Sequence, residues 1–229
     1  ADPIIQPTGW KQIDLNNPLT ITDSLSIEVD QGETVTLVGD GLQRIFDITE
    51  QAGDVDLHQL ILRGGRSTGP EGGGAGIRFA SSGVLALTDI EISGHQTIGR
   101  FAPAAVYAAS GTVQLVRATV TNNQTFGDDS GGGGIHANAL VAENSTISHN
   151  ETSGDRSHGG GVEGVGSTGA SLQIARSTVA QNRVTGATSN GGGIAIQSGE
   201  SSITLTTIST NASNSDGAGV YWANDGVSS

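Results

Sequence analysis

Asp128 and Asp155 lie 27 positions apart, and Asp129 and Glu151 accompany them. Carboxylates brought together from separate stretches of chain can hold Ca²⁺ through oxygen ligands, or share a proton as an acid–base pair. His158 follows Arg156 by two positions and Glu151 by seven. An imidazole, a guanidinium and an acid in that arrangement could abstract a proton beside a uronate carboxylate. The blander alternative is that a chain of net charge −13 carries solvated acids on its loops as a matter of course. His58 and His136 read as surface or turn residues. No HExxH, GxSxG or EF-hand string is present. No motif calls for a cofactor, and Ca²⁺ on Asp128 and Asp155 is the one cation the residues suggest.

What would position these residues is a repeat. An asparagine closes each of TVTNN, TISHN, TVAQN and TISTN, at Asn123, Asn150, Asn182 and Asn211, and His95 takes the same slot one unit earlier. The spacings are 28, 27, 32 and 29. The apolar residue after each small-residue run keeps step: Ile77, Val106, Ile135, Val162, Ile194 and Val220. A period in this range, carried by strand-forming residues, signals a solenoid. Within a unit, apolar residues alternate with polar ones, as in Leu85, Leu87 and Ile92, Val113, Leu115 and Val120, and Leu172, Ile174 and Val179. Alternation at period two means strands with one face in and one face out. One such strand cannot bury its inner face alone, but rungs stacked about 4.8 Å apart can.

The expected fold is therefore all-β, a parallel β-helix of about seven rungs and roughly 34 Å in length. The strand-crossover rule makes it right-handed. Residues 1–18, with Pro3, Pro7 and Pro18, read as a lead-in or cap in which Trp10 covers the open end; 19–229 read as one β-helix domain, a piece of a longer protein. The asparagines are expected at rung corners, in left-handed backbone, bonding the turn and the amide of the next rung. The glycine runs mark tight bends or close backbone approach. None is followed by Gly-Lys-Ser or Gly-Lys-Thr, and Gly39-Asp40-Gly41 lacks the third glycine of a dinucleotide fingerprint.

After each corner the chain runs into a segment read as a loop: 96–103, 124–130, 151–158, 183–190 and 212–216. Register puts all of them on one edge of the rod, where a β-helix would carry function. Arg100, Phe101, Phe126, Asp129, Arg156 and Arg183 are the binding candidates on that edge. Asp128, Asp155, Glu151 and His158 are the candidates for catalysis. A second surface stands apart: Thr119, Thr146, Thr178 and Thr207 beside Thr121, Ser148, Ala180 and Ser209 should point outward in two columns, an array suited to ice, although threonine is also simply a good exposed strand residue.

Composition agrees with a thin apolar column. Aromatic residues make up 3% of the chain, and there are no methionines, no cysteines and 36 glycines. Lys11 is the one lysine, and the acidic balance argues against nucleic acid or an anionic membrane as a partner. No run of 18 apolar residues suggests insertion into a membrane. Asn123, Asn144, Asn150 and Asn211 each open an N-x-[ST] sequon. An exposed terminal rung could pair with another chain, and the sequence sets no oligomeric state.

The unit [ST]-[IV]-x-x-N followed by G-G-G-[IV] resembles the GG[AILV] and FxxN repeats of polymorphic outer-membrane proteins and autotransporter passengers. The resemblance covers residues 57–222. Ile147, Val179 and Ile208 stand where that family often has Phe, His95 replaces Asn, and Ala104-Ala105-Val106 replaces the glycine run. It implies a secreted or cell-surface bacterial protein, often adhesive, whose loop edge binds a glycan or a surface protein. A polysaccharide lyase or hydrolase using the loop carboxylates is the alternative, and ice binding the third.

Overall fold

The computed structural model describes residues 11–30, 32–69, 72–165 and 170–223. Trp10, Pro3 and Pro7 lie outside them. Among the described residues there is no helix, so none long and apolar enough to cross a membrane. The chain is a β-solenoid of about seven turns. Its strands form three parallel sheets of eight, thirteen and six strands, each strand hydrogen-bonded to its equivalents one turn away.

One turn shows how the sequence does this. Ile135–Glu143 lies in the thirteen-stranded sheet, here called the wide sheet. The chain bends at Asn144, whose φ is 51°, into Thr146–Ser148 of the eight-stranded threonine sheet. It bends again at His149, φ 55°, and runs as Glu151–Thr152 in the six-stranded narrow sheet. A loop and the next glycine run return it to Val162. Ile135, Ala137, Leu140, Ala142 and Ile147 all point inward and are essentially fully buried. They stack on their equivalents: Leu140 sits between Val113 and Leu172, and Ile147 between Val120 and Val179. Each such Leu, Ile or Val contributes roughly 1.5–3 kcal/mol by leaving water.

The corners are stitched by side chains. A side-chain oxygen on one turn accepts the backbone N–H of the equivalent residue on the turn before. At the first corner Ser145 Oγ takes Ala118 N, Ser177 Oγ takes Ser145 N, and Thr206 Oγ1 takes Ser177 N. At the second, Asn150 Oδ1 takes Asn123 N at 3.1 Å and Asn182 Oδ1 takes Asn150 N at 3.0 Å. At the third, ahead of the glycine run, Ser157 Oγ takes Ser130 N and Ser189 Oγ takes Ser157 N, both at 2.9 Å. Bends break the sheet ladder and would strand buried amides; the three ladders satisfy them.

Three expectations change. The left-handed residue of the second corner is the one before each asparagine: Asn122, His149, Gln181 and Thr210, with Gly94 ahead of His95. The asparagine itself must turn its amide into the core to join the ladder. The segments read as loops begin with the strands of the narrow sheet, because Thr97, Thr125 and Thr152 point inward and fill a polar part of the core, Thr97 Oγ1 donating to Thr125 Oγ1 at 3.0 Å. Strand structure also starts ahead of Leu19, since Lys11–Leu15 pairs in parallel with Val35–Gly39.

Candidate functional site

The loop edge is a hydrogen-bonded stack. Asp128 and Asp155 are vertical neighbours, and each carboxylate is tied to a backbone N–H one turn on. Asp128 Oδ1 accepts the N–H of Asp155 at 2.9 Å, and Asp155 Oδ1 accepts that of Ala187 at 2.7 Å. Asp129 is gripped from both sides: Arg156 donates Nε to Oδ1 at 2.8 Å and a terminal nitrogen to Oδ2 at 3.0 Å, and Arg100 donates Nε to Oδ2 at 2.8 Å. The hydrogen bonds from Arg156, then those from Arg100, hold the Asp129 carboxyl down at about 2. Glu151 lies in register between Gln124 and Arg183 on the narrow sheet, and Phe126 ends the strand Gln124–Phe126 beside it. His158 belongs elsewhere: its Nδ1 accepts the N–H of Asn190 at 2.9 Å, and its ring stacks on Tyr221 at 6.0 Å. Thus Arg100, Asp129 and Arg156 come together, Asp128 and Asp155 cap backbone, and the four catalytic candidates do not form one cluster. Among the described residues no three of His, Asp and Glu are grouped to hold a metal ion.

His95 belongs to the asparagine ladder. Its Nδ1 accepts the N–H of Gly65 at 3.0 Å, so the proton sits on Nε2, which donates to Leu62 O at 3.0 Å. One turn on, Asn123 does the same with its amide: Oδ1 takes His95 N and Nδ2 donates to Ile92 O. The imidazole is thus an imitation of the carboxamide. Complete burial pushes it down to about 4, and it stays neutral.

A different column carries the more unusual chemistry. On the outer face of the wide sheet Asp47, Arg78, Tyr107, His136 and Glu163 occupy one slot on five successive turns. Arg78 Nε donates to Asp47 Oδ1 at 2.6 Å. The rings of Tyr107 and His136 meet tilted at 51°, centroids 5.3 Å apart. His136 Nδ1 lies 2.9 Å from Glu163 Oε2, and Gln197 Nε2 donates to Glu163 Oε1 at 3.1 Å. Glu163 is only 5% exposed although its slot faces outward. It fits there because Gly131 has no side chain; a Cβ on Gly131 would fall 2.0 Å from Glu163 Oε2.

Beside Tyr107 opens a groove of about 400 Å³, lined by Glu50, Arg78, Phe101, Tyr107 and Ser110. Phe101 reaches it from the loop edge, half exposed, with Arg100 stacked 4.6 Å above its ring. Of the residues singled out from the sequence, Phe101 stands at this groove, with Arg100 behind it on the loop edge. His136, Glu163, Tyr107 and Arg78 were missed. Their signal was positional: each follows directly the apolar residue after a small-residue run, namely Ile135, Val162, Val106 and Ile77.

No protein-family model, no curated protein and no solved structure matches this chain.

Proposed function

We propose that this chain is a structural, adhesive module of the cell surface or extracellular space, and that it binds a glycan in the groove between Phe101 and Tyr107. The lining of that groove carries the reading. Two aromatic side chains, a guanidinium, a carboxylate and a hydroxyl face one open space. Aromatic rings take the apolar faces of sugars, and a few placed polar groups take their hydroxyls. Phe101 supports it further, since its phenyl ring is half exposed at the rim of the groove. The acidic balance favours a neutral glycan over a polyanion. A surface protein is the other partner expected on this edge, and the small size of the groove suits it less. A lyase or hydrolase working through the loop carboxylates has less support, since Asp128, Asp129 and Asp155 are each engaged by backbone or arginine.

Retention of labelled xylan, mannan and β-glucan on the immobilised chain tests the proposal. Phe101→Ala and Tyr107→Ala should each weaken retention about tenfold or more, and Thr178→Ala, on another sheet, should leave it unchanged. Equal retention by all four proteins would sink the groove, and no retention of any glycan would sink the reading.

One observation favours a second reading, ice binding. Thr119, Thr146, Thr178 and Thr207 are in register on successive turns, beside Thr121, Ser148, Ala180 and Ser209.

A further inference from the structure

The pair His136 and Glu163 has no task in binding. A carboxylate at an outward slot yet 5% exposed gives up hydration that two hydrogen bonds only partly replace. An ionised carboxylate only accepts, so His136 Nδ1 carries the proton toward it and Nε2 keeps its lone pair. Among the described residues no hydrogen bond engages Nε2. A base fixed in one tautomer by a buried acid is the arrangement that activates a nucleophile. It lies one turn from the groove, with Tyr107 common to both.

We propose that His136, oriented by Glu163, is the general base of a hydrolase acting on O-acylated neutral glycans held in the Tyr107 groove; this rests on the glycan reading above. The neighbouring groups select the reaction. Glycoside hydrolysis needs two carboxylates facing one bond, whereas Glu163 is enclosed by His136 and Gln197. Elimination from a uronate needs a free cation at its carboxylate, and Arg78 is held by Asp47. Ester hydrolysis needs one base and water, which the His136–Glu163 pair can serve. His136 Nε2 takes a proton from water while the water oxygen bonds to the acyl carbon, and the carbonyl electrons move onto its oxygen. The intermediate collapses, the acyl–oxygen bond to the sugar breaks, and the leaving alkoxide takes the proton from His136. Glu163 stabilises the imidazolium in between. The products are a free sugar hydroxyl and a carboxylic acid.

The test measures acetate released from acetylated xylan, and 4-nitrophenol from its acetate, by the whole chain. The wild type should turn over both. His136→Gln keeps a donor for Glu163, so the fold is preserved, and should lower kcat about 100-fold or more. His136→Ala should recover part of its rate on addition of imidazole. Glu163→Gln should lower kcat with KM and melting temperature little changed, a split that a merely structural Glu163 would not give. No acetate from xylan that is nevertheless retained overturns this inference and leaves the binding reading standing. Neither retention nor release removes both. A His136→Gln variant as active as the wild type also overturns it.

Discussion

His95 ties the ladder to pH. Its imidazole is neutral and fully buried, pushed down to about 4, while in the unfolded chain it titrates near 6.5. Between those values the unfolded state binds the extra proton. Stability is therefore fully present above about pH 6.5 and is lost as pH falls toward 4. The depression corresponds to about 3 kcal/mol. Asp129, held at about 2, responds only in more acidic solution, so the two effects separate. His95→Asn, which repeats the residue found at Asn123, Asn150 and Asn182, should abolish the loss between pH 6.5 and 4.5 in urea unfolding. An unchanged slope in that variant would assign the pH dependence to another group. The asparagine slots and the oddity of His95 were legible in the sequence, because a fixed period exposes any exception. That the amides are buried was not, because an exposed corner and an internal ladder use the same residue types.

The strands and corners are where the sequence spoke most and least clearly. Apolar alternation located Leu85, Val113 and Leu172 in one column, and the stacked side chains follow it, with Leu140 in the place between the last two. The narrow sheet was hidden, since its strands are two or three residues long and most point a threonine or serine inward, with Val184 the aliphatic exception. The serine ladders were hidden for the same reason: a serine signals a turn as readily as a bond across turns. At the first corner one slot holds Asn144, Arg176 and Leu205, all with positive φ. Leu205 is the poor choice, 83% exposed at φ 50°. Leu205→Asn should raise stability by about 1 kcal/mol, because asparagine adopts this backbone at lower cost. Chemical denaturation of the two proteins decides it, and a less stable variant would mean that Leu205 packs on something after all.

The molecule as a whole is a rod whose three faces differ in character, and this sets what each could meet. The wide sheet carries the charged and aromatic column, the narrow sheet leads into the arginine–aspartate stack, and the threonine sheet passes from an Arg63–Glu91 ion pair on its earlier turns to hydroxyl and methyl groups from Thr119 onward. If the plain face binds ice, purified protein should shape growing crystals, and Thr146→Lys or Thr178→Lys should remove the effect while leaving glycan retention intact. Unshaped crystals would reduce that face to an ordinary exposed sheet. Which face does what was not in the sequence, because a period fixes who stacks on whom and leaves the outward chemistry to individual residues. His136 and Glu163 stand one turn apart, yet nothing in their types distinguished them from the solvated acids and histidines around them.

The wide sheet also shows where the rod accepts additional chain. Ala137 pairs with Gly164 and Ala139 with Ser171, so Asn138 alone spans what takes 165–170 on the next turn. One turn earlier, the pairing jumps between Ala108 and Thr112 at the same place. Ladder and core resume on both sides undisturbed. Such a point is a natural graft site: a foreign epitope spliced in beside Asn138 would leave every rung closed, and the equivalent points on neighbouring turns could carry others, displayed in a vertical row at a spacing set by the backbone.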